Sequence, residues 1–325
     1  MTAVATAPSP AVAILDPALM AHRLRRLLAA RGSLRIAAAA PLVWKPGSRG
    51  LVEYRLEGAG PARVYGKHFA KPVRAARLFE TWCALERADF GPDAGVPPLV
   101  GYLPELALVV YVPVEGPMLA DVRSPVAAVP AARRAGDWLG RLQASGIRLQ
   151  RRLDMTAEAE NAGRWAARVG ELCPAHGGAA RALAGGLSRW ATRLPFGSDV
   201  PIHKDFHHRH VVASPRLCVV DFDEVRMGDR ALDPAHFCTY LWLHGVRAGS
   251  RDGDAVERAF LDGYRARSGR RPGGAFTFFA AYTCLKIAKQ LAQGTGVEPR
   301  PAGRERGRQL GLVLDHGLRQ IGALG

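Results

Sequence analysis

A chain of 325 residues is too long for one simple core and suits one two-lobed or two-domain globular protein. Its hydrophobic share of 48% against 23% charged residues excludes global disorder, and no stretch approaches the roughly 20 uncharged apolar residues that span a bilayer. The net charge of +16 would suit a polyanionic partner, yet the arginines are spread along the chain without the basic tracts of nucleic-acid arms, so neither nucleic acid nor membrane is expected as a partner.

In chain order, residues 1–14 are rich in Ala, Pro and Ser and read as a disordered tail with no basic leader. Asp16-Pro17 reads as the N-cap and first-turn proline of a helix with Leu19, Leu24, Leu27 and Leu28 on one side. From about residue 34 the texture changes to short apolar or alternating runs at 35–44, 51–57, 62–69, 99–103 and 106–112, separated by the turn segments 45–50, 58–61 and 104–105. A helical pattern at about 73–88, with Ala76, Phe79 and Cys83 at turn spacing, interrupts them after the third run.

Beyond Gly116 the chain becomes mainly helical, with segments near 130–145, 156–171, 177–194, 233–246, 253–268, 275–293 and 303–322. Two short strands, 210–213 and 216–221, fall among them. These elements predict an N-terminal lobe at 15–113 and a C-terminal lobe at 114–325. The five scattered cysteines, odd in number and without a CxxC pair, suit reduced thiols in a cytoplasm. Only six of the 45 basic residues are lysine, which makes each retained lysine worth a question.

The chemistry concentrates in Pro201–Phe237, PIHKDFHHRHVVASPRLCVVDFDEVRMGDRALDPAHF. Asp205 lies in a polar loop, and Asp221 ends the apolar run Leu217–Val220. A carboxylate at the end of a buried strand costs desolvation unless a cation or hydrogen bonds compensate. Two carboxylates across one hairpin can divide the work, one accepting a hydroxyl proton while the other holds Mg2+. Four histidines at 203, 207, 208 and 210 raise a rival metal-hydrolase reading, but HKDFHHRH matches neither HxHxDH nor HExxH. His203 reads as a loop anchor bonded to backbone.

HKDFHHRHVV, then VVDFDE, then GDRALDP resembles the catalytic signature of the aminoglycoside phosphotransferase/choline kinase family, a distant relative of the protein kinases. The resemblance implies an α+β, protein-kinase-like two-lobed fold. Its N-lobe would be a small mixed β-sheet with one inserted helix, and its C-lobe mainly helical. It also implies an ATP- and Mg2+-dependent phosphotransferase acting on a small-molecule hydroxyl acceptor. In that reading Asp205 is the catalytic base, Asp221 binds the metal, and Asp229 and Asp233 brace the loop. His210 stands where the family has a metal-binding asparagine and takes that place as a candidate ligand. Lys204 replaces the family's usual glycine and reads as solvated.

In the N-lobe, Lys67 resembles the family's phosphate-binding lysine, and Glu80, thirteen residues on in the inserted helix, its ion-pair partner, with Glu86 competing. Gly47, Ser48, Arg49 and Gly50 form the turn where these folds cover the nucleotide phosphates, since glycines let backbone N–H groups approach anions. Tyr111 and Val112 occupy the interlobe linker, whose backbone the resemblance assigns to adenine. Acidic residues such as Asp223, Glu224 and Asp262 could line a pocket for a cationic acceptor. The alternative is a catalytically degenerate member of the same fold that senses or binds nucleotide.

Overall fold

The computed structural model of the chain describes residues 10–28, 34–58, 60–249, 252–269, 274–296 and 300–325. The chain divides into two compact units, and the division falls at Gly116/Pro117, with Cys218–Asp223 returning to the first unit.

The first unit opens with α1 (Pro10–Leu15) and α2 (Pro17–Leu27). Asp16 caps α2, its carboxylate accepting from the N–H groups of Ala18 and Leu19 at 2.8 and 3.1 Å, and Pro17 takes the first turn, where a missing N–H costs nothing. The tail expected at 1–14 is therefore helical from residue 10, and residues 1–9 lie outside the described residues. The reason is burial: Ile14 is fully enclosed and its carbonyl accepts a hydrogen bond from the equally buried Tyr54 hydroxyl at 2.8 Å. In α2 the buried residues are Met20 and Leu24, while Leu19 faces out.

The sheet follows as β1 (Leu34–Lys45), β2 (Arg49–Gly58), β3 (Arg63–Phe69), then α3 (Pro72–Glu86), β4 (Ala94–Gly95), β5 (Leu99–Leu103) and β6 (Leu108–Tyr111). Five strands lie in the order β1-β2-β3-β6-β5, and all four pairings are antiparallel, which refines the expected mixed sheet. Val52, Tyr54, Val64, Leu108 and Val110 pack from the sheet against Ile14, Met20 and Leu24. The inserted helix buries Ala75, Leu78, Trp82 and Leu85, one residue out of phase with the expected stripe of Ala76, Phe79 and Cys83. Both stripes are apolar, and the bulkier one, carrying Trp82, wins the interior.

The second unit holds α4 (Pro125–Ala144), α5 (Met155–Leu172), α6 (Gly177–Ala191), β7 (Val200–Ile202), β8 (Val211–Val212), β9 (Leu217–Val219, which begins here and ends in the first unit), β10 (Arg226–Gly228), α7 (Leu232–Ala248), α8 (Asp252–Ser268), α9 (Gly274–Gln293) and α10 (Gly303–Gly322). The β7–β10 pair was not anticipated; three residues per strand are too short to show an alternation. Phe278, Phe279, Ala281, Leu285 and Ala288 of α9 pack with Leu183 and Leu187 of α6 and Leu310 and Leu314 of α10. Helices α4 and α8 touch backbone to backbone: a Cβ on Gly263 would sit 2.0 Å from the Arg133 carbonyl oxygen, so only glycine fits there. No helix among the described residues is long and apolar enough to cross a membrane.

Candidate active site

The residues singled out from the sequence fall into two groups, one in each unit. In the first, Lys67 lies on β3, the middle strand of the sheet, opposite Leu51 on β2 and Val109 on β6. Its ammonium is 13% exposed and meets Asp221 Oδ1 at 2.7 Å and Asp223 Oδ1 at 2.5 Å. Burial alone would lower the lysine's pKa, but the two carboxylates more than offset this and hold it above its ordinary value. Asp223, itself 5% exposed, also accepts from Arg49 Nη1 at 3.0 Å. Its carboxyl is pushed up, first by burial and then by neighbouring Asp221, against the pull of Lys67 and Arg49.

Asp221 adopts a left-handed backbone conformation, φ 69°, uncommon for a non-glycine residue and a place where strain collects at functional positions. Arg49 reaches this group from the β1–β2 hairpin. There Gly47 turns the chain at φ 67°, and the Ser48 N–H donates to the Lys45 carbonyl at 3.0 Å. Gly50 lies directly against Trp44, whose ring would be 2.3 Å from an added Cβ. Gly47 and Ser48 are exposed.

Two expectations need correction here, the partner of Lys67 and the place of Asp223. Glu80 is exposed on α3, and the partners of Lys67 are Asp221 and Asp223; the phase of the helix turns Glu80 outward. Glu86 is not the substitute either, since its carboxylate caps the Leu99 N–H at 2.7 Å. At the linker, the Val112 N–H donates to the Pro98 carbonyl at 2.8 Å and Pro113 has no N–H, so what these two residues can offer a purine is their carbonyl oxygens. Tyr111 packs against Trp82 and Tyr65, with ring centroids 4.7 and 5.7 Å away. Asp223, expected to face a cationic acceptor, is instead tied to Lys67 and Arg49.

In the second unit, Asp205 lies in the loop after β7, its side chain 29% exposed. Its Oδ1 meets Lys286 Nζ of α9 at 2.6 Å and His236 Nε2 of α7 at 3.1 Å. Burial would raise this carboxyl, but Lys286, then the hydrogen bond from His236, then the charges of His210 and His207 hold it well below the usual carboxylate range. Asp205 is therefore ionised at neutral pH. His236, pushed down to about 3 by burial and then by Lys286, is neutral and serves Asp205 as a hydrogen-bonding group only.

The loop itself is held from below. Asp233, at the start of α7, accepts the N–H groups of His203 and Lys204 at 2.6 and 2.8 Å, and burial, against those two bonds, raises its carboxyl to about 7. Asp229 accepts from the Ser198 hydroxyl at 3.2 Å and the Ala231 N–H at 2.9 Å. Lys204 has φ 66°, which is the physical reason a glycine suits this position. Its side chain is 16% exposed and ion-paired with Glu158, which also accepts from the Tyr282 hydroxyl; the expectation of a solvated lysine is overturned.

His210 stacks on His207 at 3.9 Å between ring centroids. Its Nδ1 lies 2.8 Å from the Asp205 carbonyl, which can only accept, so Nδ1 carries the proton and Nε2 is the ligating nitrogen. Asp205, His207 and His210 each offer one ligand atom within 4.8 Å of the others. Two imidazoles and a carboxylate suit a borderline transition metal better than Mg2+, and the Lys286 ammonium on Asp205 opposes a second cation there. Lys286 was missed from the sequence: it lies 81 residues from Asp205, and the only signal for it was lysine scarcity.

Among solved structures this fold is shared with a choline kinase of Cryptosporidium parvum Iowa II (TM-score 0.62, 9% identity, 95% of this chain and 96% of that one). It is shared also with a Ralstonia eutropha JMP134 protein proposed to be an aminoglycoside phosphotransferase (0.64, 16%, 95% and 98%), and with an ADP-bound aminoglycoside phosphotransferase, APH(2'')-Ib (0.55, 11%, 94% and 99%). No curated protein sequence matches the chain significantly. The sequence profile described as the Phosphotransferase enzyme family matches residues 8–272. With that match over most of its length, and a protein-kinase-like fold beneath it, the chain belongs to the phosphotransferase enzyme family.

Proposed function

We propose that this phosphotransferase uses ATP and moves its γ-phosphoryl group to the hydroxyl of a small molecule. The observation that carries the reading is the nearly buried Lys67 bonded at once to Asp221 and Asp223. A lysine fixed between two carboxylates is a charge device that a phosphate chain and a divalent cation can enter by exchange, the phosphates taking the ammonium and the cation the carboxylates. Hard oxygen donors such as Asp221 and Asp223 fit Mg2+, which when bound would neutralise charge on the phosphates. Arg49, beside the exposed turn Gly47–Ser48, supplies a guanidinium for phosphate oxygens.

Asp205 receives the acceptor. An ionised carboxylate accepts the hydroxyl hydrogen and orients the oxygen lone pair toward phosphorus. The new O–P bond forms as the bond to the β–γ bridging oxygen breaks, its electron pair leaving with ADP. Its depressed pKa makes Asp205 a weak base, which is adequate where the transition state is loose and alignment matters most. His236 and Lys286 fix the carboxylate's rotamer. A cytoplasmic location accords with the use of ATP.

The test is Asp205→Asn, scored on phosphoryl transfer and on ATP binding separately. Transfer should fall by about 10²–10⁴-fold with ATP affinity within about twofold of wild type. Equal loss of both would contradict the role given to Asp205. Nucleotide binding by the wild-type chain without transfer to any alcohol would favour a nucleotide-binding module instead.

A further inference from the structure

Besides Asp205, the loop after β7 contributes to a second feature of the C-terminal unit, a cavity of about 440 Å³. It is lined by the segment 119–128, which runs into the first turn of α4, by His208 and Arg209, by the last two turns of α7, and by the start of α8. Its charged lining is one-sided: Arg123, Arg209 and Arg247 stand against the single carboxylate of Asp121. His208 and His244 complete the polar wall, with ring centroids 4.9 Å apart.

His208 gives the cavity its second, independent sign of a ligand. It is 3% exposed, and its Nδ1 is buried with no hydrogen-bond partner among the described residues. A buried polar atom left unpaired is costly, so a native structure that keeps one asks for the group that satisfies it. Burial, then Arg209 and Arg247, hold the His244 imidazole below its ordinary pKa, while Asp121 pulls it upward. With three guanidiniums against one carboxylate, the wall penalises a further positive charge and relieves a negative one. The Arg247 guanidinium donates to Gln309 Oε1 at 2.9 and 2.6 Å, which fixes the group without neutralising it.

The cavity is also aligned with the proposed chemistry. On α7, His236, Tyr240 and His244 recur every four residues and so share one helix face; His236 bonds Asp205, and His244 lines the cavity. Eight residues of helix rise span about 12 Å, a reach that a sugar- or nucleoside-sized molecule covers, and the cavity volume falls within the usual range for small ligands.

We propose that this cavity binds an anionic group, a carboxylate or phosphate, on the hydroxyl compound that Asp205 orients, so that the acceptor is an acidic alcohol. The proposal rests on the kinase reading and deepens it. It excludes polycationic acceptors, for which three guanidiniums would be repulsive.

Four matched hexose probes test it at constant ionic strength: D-gluconate for a carboxylate, glucose 6-phosphate for a phosphate, glucose as the neutral control and glucosamine as the cation. Thermal unfolding is followed with each, and separately with Mg2+-ATP, for the wild type, Arg123→Ala and Arg209→Met. Saturable stabilisation by gluconate or glucose 6-phosphate, with neither glucose nor glucosamine active, is the expected result; which acid binds identifies the source of the anion. Both variants should weaken the anion's apparent affinity at least tenfold while keeping the Mg2+-ATP shift. Three results overturn it: no stabilisation by either acid although Mg2+-ATP stabilises, equal acid shifts in wild type and variants (a general effect of net positive charge), or stronger binding of glucosamine. Loss of the Mg2+-ATP response in the wild type is a different failure, that of the kinase reading.

Discussion

Asp205 keeps its charge because two distant helices supply its neighbours. Lys286 from α9 and His236 from α7 both reach Oδ1, and without the ammonium the burial of the carboxyl would lose its strongest opponent. The sign is direct. A depressed carboxyl is ionised throughout the neutral range and loses its charge only below the ordinary value of about 3.9. In Lys286→Met the folded-state pKa rises, and the protonated, inactive form spreads upward in pH. The acid limb of kcat/KM should then move to higher pH in the variant than in the wild type, with little change on its alkaline side. An acid limb that stays put in Lys286→Met would show that another group governs the carboxylate. The same residue shows where sequence reading stops. Asp205 was legible because its loop carries a recognisable order of residue types, whereas Lys286 reaches it only through tertiary packing, and no spacing along the chain encodes that.

The inserted helix α3 makes the same point for an element. Its existence and limits were legible to within two residues, because its turn-spaced apolar residues and Pro72 are local signals. Its phase was not, because Ala75-Leu78-Trp82-Leu85 and Ala76-Phe79-Cys83 are both plausible faces, and only the sheet decides between them. The misplaced phase also produced the misplaced Glu80. The buried face predicts that Leu78→Ala costs about 2–5 kcal/mol. Phe79→Ala, which loses a half-exposed ring stacked on Tyr102 at 5.4 Å, should cost less than about half as much. Urea midpoints of the two variants check this, and a larger cost at Phe79 would restore the phase read from the sequence. The short elements β7 and β10 escaped for a related reason: the pairing of Arg226 with Ile202 is set by chain return, with no local pattern to announce it.

For the whole molecule, the balance of charge has a division of labour. Arginine is the default base, and four of the six lysines, Lys67, Lys204, Lys286 and Lys289, are wholly or partly enclosed, three of them in ion pairs with carboxylates. A compact ammonium suits a narrow site between carboxylates better than a planar guanidinium does. The two-lobed order of elements was legible because hairpin turns and helix caps are written locally, and Asp205 and Asp221 because their motifs are. The partner of Lys67 was not, because Asp223 lies 156 residues away in sequence and rejoins the first unit only through the return of Cys218–Asp223.

The central claim is that Lys67, Asp221 and Asp223 form the nucleotide-phosphate and metal site. The most direct test is thermal unfolding with and without Mg2+-ATP, on the wild type, Lys67→Met and Asp221→Asn, comparing each variant only with itself so that altered intrinsic stability drops out. At a nucleotide concentration 100 times its dissociation constant, binding stabilises by about 2.7 kcal/mol, a shift of a few degrees. The account predicts a magnesium-dependent shift in the wild type that is absent from both variants. A shift of equal size in all three proteins, or none in the wild type, would contradict it.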